Sequence, residues 1–321
     1  MSKNIVYCIV SEIMDENYIT LLRQLLAVGS MTQSQLAKRL GITYAALSRW
    51  LHGHAKPQPR RMVEIRNLFK ELVGYPGVTQ ARIHKALRRA NRLRIGNLWR
   101  LIRDHRALQD ALVLEHTYNS TSIEGTTFRK RETEAILFDK ALIPDKSLLE
   151  HLEVTNHASV LRGIFRKKFA GPVTEKFIQG LHHDLMQGVR EDAGSYSKYS
   201  RAIRGVNIAL THPEDIGEEM ENLMHSWNKK NARKTIRDIA SFHVQFELIH
   251  PFGDGNGRIG RLLMVIQCLQ TDYPPVIIEN ARKADYYEAL EYAQRKSDGP
   301  FLCFLADQME KTAGMIRNYL H

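Results

Sequence analysis

Residues 250–261 read His-Pro-Phe-Gly-Asp-Gly-Asn-Gly-Arg-Ile-Gly-Arg. This short run holds a base that titrates near neutrality (His250), a hard-metal ligand (Asp254), glycines at 253, 255 and 257, and two arginines three positions apart, Arg258 and Arg261. An imidazole can take a proton from a hydroxyl nucleophile near pH 7. A carboxylate can hold Mg²⁺ between phosphate oxygens. Glycines let an anion approach the backbone and permit unusual dihedrals. Arginines at i, i+3 of a helix share a face and reach the same polyphosphate. The combination suits holding a polyphosphate while deprotonating something beside it.

Two helical patterns must position that run. Upstream, Ile239, Phe242, Phe246 and Ile249 recur at 3-4-3 spacing, the stripe of a core-facing helix that ends at His250. Downstream, Leu262-Leu263-Met264-Val265-Ile266 is apolar all round, so that helix should be buried. A buried helix opening on Gly255-Asn256-Gly257 presents free backbone N–H groups and a positive dipole end, which together make an anion site. Taken singly the residues have blander uses: Asp254 as a helix cap, His250 as a loop histidine, the arginines as solvated charges. At average residue usage, however, the fixed positions of the run coincide by chance with a probability on the order of 10⁻¹⁰ per start site.

The run resembles the Fic-domain signature H-x-F-x-[DE]-G-N-G-R-x-x-R and matches it at every fixed position. The family is an all-α fold, most of whose members transfer AMP from ATP to a hydroxyl side chain of a protein. The resemblance implies His250 as general base, Phe252 as the loop's anchor and Asp254 as the Mg²⁺ ligand. Gly253, Gly255, Asn256 and Gly257 would lie along the nucleotide, with Arg258 and Arg261 on the β- and γ-phosphates. Gly257 implies nucleotidyl transfer with pyrophosphate leaving, because members that move the γ-phosphoryl group carry lysine there. Tyr273-Pro274-Pro275-Val276-Ile277-Ile278 and Tyr286-Tyr287-x-x-Leu290 are similar to the family's C-terminal portion, which makes Tyr287 the adenine-side candidate; a core tyrosine is an equally good reading. Gln294 stands where related sequences often have Asn. Residues 194–213, rich in Gly, Ser, Tyr and β-branched residues, are expected to form a β-hairpin. Its tip at about 201–209 would be a flap that aligns the target by strand addition, although Gly194-Ser195-Tyr196-Ser197 lacks the arginine often seen after the aromatic.

Ser120-Thr121-Ser122-Ile123-Glu124-Gly125 resembles the family's inhibitory motif [ST]-x-x-x-E-[GN]. The resemblance implies that Glu124 pairs with Arg261 where the γ-phosphate should sit, so that ATP enters with its phosphates misplaced for in-line attack. Ser120 opens that motif.

Ala37-x-x-x-Gly41-Ile42-x-x-x-x-Leu47 is similar to the helix-turn-helix of phage-repressor-like domains. The second helix would lie in the major groove and expose Thr43, Tyr44, Ser48 and Arg49 to bases or phosphates. Lys38, Arg39, Lys56, Arg60 and Arg61 would supply backbone contacts. A small helical bundle that binds protein is the competing reading.

Length and composition agree with this outline. A chain of 321 residues suggests two domains. The sequence reads as mainly α: an extension over 1–16, a helix-turn-helix bundle over 17–75, a connecting helical arm over 76–104, and a Fic-type helical domain with its small β-hairpin flap over 105–321. Gly74-Tyr75-Pro76-Gly77 is the linker candidate. The charge of +11 favours anionic partners. Cys8, Cys268 and Cys303 are far apart and form no C-x-x-C, which argues against a zinc site or a disulfide framework and for a reducing compartment. The apolar run Ile5–Val10 is too short for a signal segment or a membrane span. The expectation is a cytoplasmic protein with ATP as substrate, Mg²⁺ as cofactor, no membrane partner, and a target protein that could be the chain itself. DNA is the expected partner of the N-terminal module, and a homodimer is expected because repressor-like modules pair to read two half-sites. Two other readings stay open: a transcription regulator whose Fic-like domain senses nucleotide, and a de-adenylylase or a transferase using UTP or CTP.

Overall fold

A computed structural model describes residues 18–75, 78–167, 171–201, 209–229 and 233–320. The chain divides into two compact units after Thr79.

The smaller unit is a four-helix bundle: α1 (Tyr18–Val28), α2 (Gln33–Arg39), α3 (Tyr44–Leu51) and α4 (Pro59–Leu72). Its helix ends follow from local chemistry. The Thr32 hydroxyl accepts from the Gln35 N–H while the Gln35 side chain accepts from the Thr32 N–H, a complete capping box. Thr43 caps α3 by accepting from the Ala46 N–H. Gly41 makes the turn between α2 and α3 with φ of +61°, a left-handed conformation that favours glycine. Leu21, Leu22, Leu25, Leu36, Ala37, Leu47, Ile65 and Phe69 close one core.

The larger unit begins with α5 (Gln80–Arg92), α6 (Leu98–Asp104) and α7 (Arg106–Glu124). The sequence outlines a connecting helical arm over 76–104, but the chain bends within that stretch and again just after it. The first bend holds Gly96 and a left-handed Asn97, and the Ile95 N–H donates to the Asp272 carbonyl. At the second, the His105 ring accepts from the Leu108 N–H and caps α7. Nor does α5 stand apart as an arm. It packs on α15 (Gly299–Asn318), where Arg89 pairs with Asp307 and Glu310.

The remaining helices are α8 (Lys130–Glu134), continued by a π turn at Ala135–Asp139, then α9 (Leu148–Arg166), α10 (Glu175–Met186), α11 (Ile216–Asn228), α12 (Ile236–Ile249), α13 (Asn256–Gln270) and α14 (Lys283–Arg295). The centre is α13, which packs against α6, α7, α9, α10 and α12. It is buried from Arg258 to Cys268, as its all-round apolar run requires. Its partner α12 buries Ile239, Phe242, Phe246 and Ile249, the predicted stripe. No residue among those described is in a β-strand. Residues 194–201 and 209–212 are turns and loop, so the hairpin expected over 194–213 is not seen there, and residues 202–208 of its flap lie outside the described residues, as does the extension 1–16.

Leu47 is fully buried in the small core. Replacing it with Ala should destabilise that unit by about 2–5 kcal/mol. Thermal denaturation of the full chain should show a lowered transition, with Ala45→Gln on the exposed face of α3 as an unshifted control.

Candidate active site

The loop between α12 and α13 carries the run 250–255. Helix α12 ends because His250 turns left-handed, with φ of +50°, and Pro251 cannot continue the hydrogen-bond ladder. A left-handed histidine is strained, so the surroundings must hold it. Arg201 does so: one guanidinium nitrogen donates to the His250 carbonyl and the other to the Thr211 carbonyl at 2.7 Å. The Ser197 N–H donates to the Pro251 carbonyl at 2.8 Å, which lays residues 197–201 along the loop. A side chain at Gly253 would collide with the Tyr199 hydroxyl, so this glycine makes room for that strap.

Inside the loop, Asn256 closes a reciprocal pair with Phe252: its Oδ1 accepts from the Phe252 N–H at 2.9 Å and its Nδ2 donates to the Phe252 carbonyl at 2.8 Å. The Asn256 side chain is therefore committed to loop closure, and only its backbone faces the anion cradle. Phe252 is fully buried and stacks on His182 of α10, ring centroids 3.7 Å apart. The same His182 joins two segments. Its Nδ1 accepts from the Gly194 N–H at 2.8 Å, so the proton must sit on Nε2, which donates to the Asp254 carbonyl at 3.0 Å. Burial pushes the pKa of His182 down to about 4, which keeps this neutral tautomer.

The cradle is at the start of α13, where Gly255 has φ of +81°. It is occupied by the chain's own carboxylate. A Cβ on Gly257 would collide with Oε1 of Glu124 and approach Nη1 of Arg261 to 3.0 Å. Glu124 ends α7 and accepts from Nη2 of Arg261 at 2.6 Å. Arg261 also donates to the Ser120 hydroxyl and carbonyl, each at 2.9 Å. Burial is the largest single influence on Arg261 and would lower its pKa, but the Glu124 charge and hydrogen bond together with Tyr286 and Tyr287 outweigh it, and the net shift is upward. Arg258 is equally buried. It donates to Glu153 of α9 at 2.5 Å and lies 3.4 Å from Asp254.

Asp254 is half exposed at the cradle's rim, and its Oδ1 accepts from the Gly255 N–H. Among the described residues, no group of three or more His, Cys, Asp and Glu could hold a metal. A lone rim carboxylate fits Mg²⁺ that keeps waters and takes its other ligands from phosphate, and does not fit an all-protein metal site. His250 is mostly buried, which pushes its pKa down to about 4, partly offset by the Glu247 carbonyl, so the ring is neutral and its lone pair is available. Tyr287 of α14 is half-buried, with Lys283 Nζ 5.9 Å above its ring, and that lysine also donates to the Ile123 carbonyl beside Glu124.

The structure thus gathers His250, Gly253, Asp254, Gly255, Asn256, Gly257, Arg258, Arg261, Ser120 and Glu124 around one cradle. Sequence reading missed three residues there: His182, Glu153 and Arg201. Nothing in their local spacing marks them, because each reaches its partner from a distant part of the chain. In the smaller unit, Thr43, Tyr44 and Arg49 are exposed on α3 and at its cap, and Ser48 is half-buried.

Residues 172–268 match the Fic/DOC family model, and residues 22–72 match the helix-turn-helix model. Residues 172–268 are therefore similar to a Fic domain and residues 22–72 to a helix-turn-helix domain. Similar curated proteins include the protein adenylyltransferase Fic of Drosophila mojavensis, 31% identical over 208 residues, covering 62% of this chain and 40% of that protein. The protein adenylyltransferase Fic of Nematostella vectensis is 32% identical over 213 residues, covering 64% and 49%. The chain thus spans less than half the length of these relatives. Among solved structures, a Fic domain-containing signaling protein from Bacteroides thetaiotaomicron superimposes with a TM-score of 0.63 at 24% identity, covering 74% of this chain and 97% of that one. Fic-1 of C. elegans gives 0.64 at 23%, covering 89% and 84%. These two likenesses establish the fold.

His182→Phe keeps a ring against Phe252 but removes both hydrogen bonds, and His182→Gln keeps a donor for the Asp254 carbonyl. Nucleotide affinity in the presence of Mg²⁺, read by calorimetry in a Glu124→Gly background, should fall roughly tenfold in the first variant, as for loss of a buried hydrogen-bonded group. The second should recover part of that loss.

Proposed function

We propose that this protein transfers AMP from ATP to a hydroxyl side chain of a protein. The observation that carries the reading is the carboxylate of Glu124 resting on the Gly257 backbone against Arg261: the cradle already holds an anion. It does so beside a neutral imidazole. A triphosphate offers the same charged oxygens to the same donors. Relatives named protein adenylyltransferase support the choice of ATP and of AMP as the group moved.

In this reading the target hydroxyl gives its proton to Nε2 of His250 as its oxygen bonds to the α-phosphorus. The bond from that phosphorus to the bridging oxygen breaks, and pyrophosphate leaves. Arg258 and Arg261 hold the departing phosphates, and the N–H groups opening α13 hold their oxygens. Asp254 would hold Mg²⁺, which neutralises phosphate charge when bound. Tyr287 would face the nucleoside.

Glu124 restrains this reaction in the resting chain, because Arg261 cannot serve the γ-phosphate and Glu124 together. The same carboxylate, set beside the cradle, could orient a water to remove AMP from a modified target. Glu124→Gly should raise incorporation of label from ATP labelled at the α-phosphorus by roughly tenfold or more, the scale expected when phosphate geometry is restored. Label at the γ-phosphorus should stay in pyrophosphate, and adding His250→Ala should abolish transfer. Incorporation unchanged by loss of Glu124 would remove the restraint from the model. Parallel reactions with UTP and CTP, and release of AMP from a pre-modified protein, decide between the transferase and its alternatives.

The helix-turn-helix unit is proposed to bind DNA through α3. Its support is the family match and the exposure of Tyr44 and Arg49 on one short helix and of Thr43 at its cap. Binding would weaken steeply with salt, and Arg49→Ala should reduce it by about tenfold, the scale of a lost base or phosphate contact. Electrophoretic mobility unchanged at low salt with random duplex DNA would count for the small helical bundle that binds protein instead.

A further inference from the structure

A buried carboxyl stands behind His250, and the transfer reaction described above makes no use of it. Glu247 lies on α12 one turn before His250 and is 5% exposed. Its Oε2 is 3.8 Å from Nδ1 of His250, and its Oε1 is 3.9 Å from Nε2 of His243. His243 Nε2 in turn lies 2.8 Å from the Tyr286 hydroxyl. Oε1 of Glu247 is buried without a hydrogen-bond partner, and Nδ1 of His243 and Nδ1 of His250 are buried with no well-directed hydrogen bond, each facing only a backbone carbonyl, that of Gly260 and that of Glu247. Room for the carboxyl comes from Gly260: a Cβ there would stand 2.8 Å from Oε1 of Glu247 and 3.0 Å from Cε1 of His243. Position 260 is a variable one in the signature, and 247 lies outside it, so the shared pattern accounts for neither residue.

A carboxyl buried between two imidazoles, with unspent hydrogen-bonding capacity on both sides, is costly unless the site uses it. We propose that Glu247 is a positioning residue for His250: in its ionised form it accepts from the Nδ1–H of the imidazole, keeps the Nε2 lone pair toward the target hydroxyl, and stabilises the imidazolium that forms when the hydroxyl proton arrives. This rests on the transfer reading for its catalytic consequence, but the Glu247–His250 coupling does not. Its chemistry balances simply. The hydroxyl proton moves to Nε2, the Nδ1 proton stays on nitrogen and is shared with the carboxylate, and after transfer the imidazolium returns one proton to solvent.

The charges around the pair support the assignment. Burial leaves His250 a weak base, with its pKa down at about 4, so an unaided ring gains little from the proton at neutral pH. Burial pushes Glu247 up to about 8; Arg261 on α13 pulls it down and Glu124 on α7 pushes it further up. His243 on its own helix and His250 flank it, and Tyr286 and Tyr287 of α14 also sense its charge. The sign follows: a carboxyl whose pKa is raised becomes ionised only as pH climbs through that value. Assistance to His250 therefore grows toward pH 8 and above. Removing Glu124 takes away a like charge and shifts the onset lower.

Two measurements on the full chain test this. The first follows the ¹⁵N-histidine resonances of His250, assigned by their loss in His250→Ala, in the chain with Glu124 intact. They should shift in a step near pH 8 as Glu247 ionises, and the step should vanish in Glu247→Gln, an isosteric change that preserves the neutral form's shape. No step, or one that survives Glu247→Gln in a chain of unchanged melting temperature, overturns the proposal even if no AMP is ever transferred. The second measures transfer of α-labelled AMP in the Glu124→Gly background across pH 6 to 9.5. Glu247→Gln should lower kcat at alkaline pH by about tenfold to a hundredfold, up to the lower end of what general-base catalysis contributes because the base itself remains, and flatten its rise with pH. KM for ATP should stay within about twofold, since the ATP contacts are untouched. An unchanged kcat and pH profile would equally overturn the proposal. If Glu124→Gly transfers no label while the NMR step appears and is lost in Glu247→Gln, the transferase reading fails and the coupling stands.

Discussion

Two guanidinium groups, those of Arg258 and Arg261, lie inside the larger unit with 2% and 1% of their surface exposed, and an ion so placed must have a counter-ion. Glu153 serves the first and Glu124 the second. Removing one partner of such a buried pair leaves an uncompensated charge and typically costs about 3–5 kcal/mol. An anion is thus built into the resting cradle, and whatever displaces Glu124 must bring charge of its own. A triphosphate meets that requirement, and an uncharged ligand does not. In the proposed reading, the restraint and the binding site would be one electrostatic arrangement with two alternative occupants.

The helix that presents those arginines could not hold the loop in front of it alone. His250 occupies a left-handed conformation, and the loop beyond it has few ordinary backbone bonds. Its shape comes from side chains of other elements: Arg201 on the His250 carbonyl, His182 on the Asp254 carbonyl and the Phe252 ring, and Asn256 turned back on Phe252. Each of these groups donates to or accepts from backbone, so the loop is fixed by directional bonds rather than by packing alone. That kind of rigidity holds the His250 imidazole and the opening of α13 at one spacing, as a base beside a phosphate cradle would require. It also explains why Gly253, Gly255, Gly257 and Gly260 cluster here: three have a neighbour's polar atom where a side chain would be, and Gly255 turns left-handed against Met186.

The smaller unit obeys a different logic. Its four helices are short, so caps and a continuous leucine-rich core carry them rather than helical propensity. Tyr44 and Arg49 of α3 and Thr43 at its cap are exposed and take no part in that core.

Much of this was legible in the chain because it is written in near neighbours. The run 250–261, the stripe of α12, the all-apolar α13 and the caps at Thr32 and Thr43 each depend on residues a few positions apart, and local periodicity and hydrogen bonding suffice to read them. Resemblance to a known pattern added the pairing of Glu124 with Arg261, 137 positions apart. Other expectations met tertiary forces. The basic stretch after residue 79 bends where Ile95 bonds to Asp272, and α5 packs on the last helix. The residues described between 194 and 212 take loop conformations, with Ser197 bonded to the Pro251 carbonyl in place of a strand partner. Glu153 reaches Arg258 across 105 positions, and His182 reaches Asp254 across 72. Glu247 and Gly260 meet on facing helices. No spacing encodes such meetings. They exist because burying α13 on all sides forces the polar groups of its neighbours to find partners in one small volume, and only the packed fold decides which ones do.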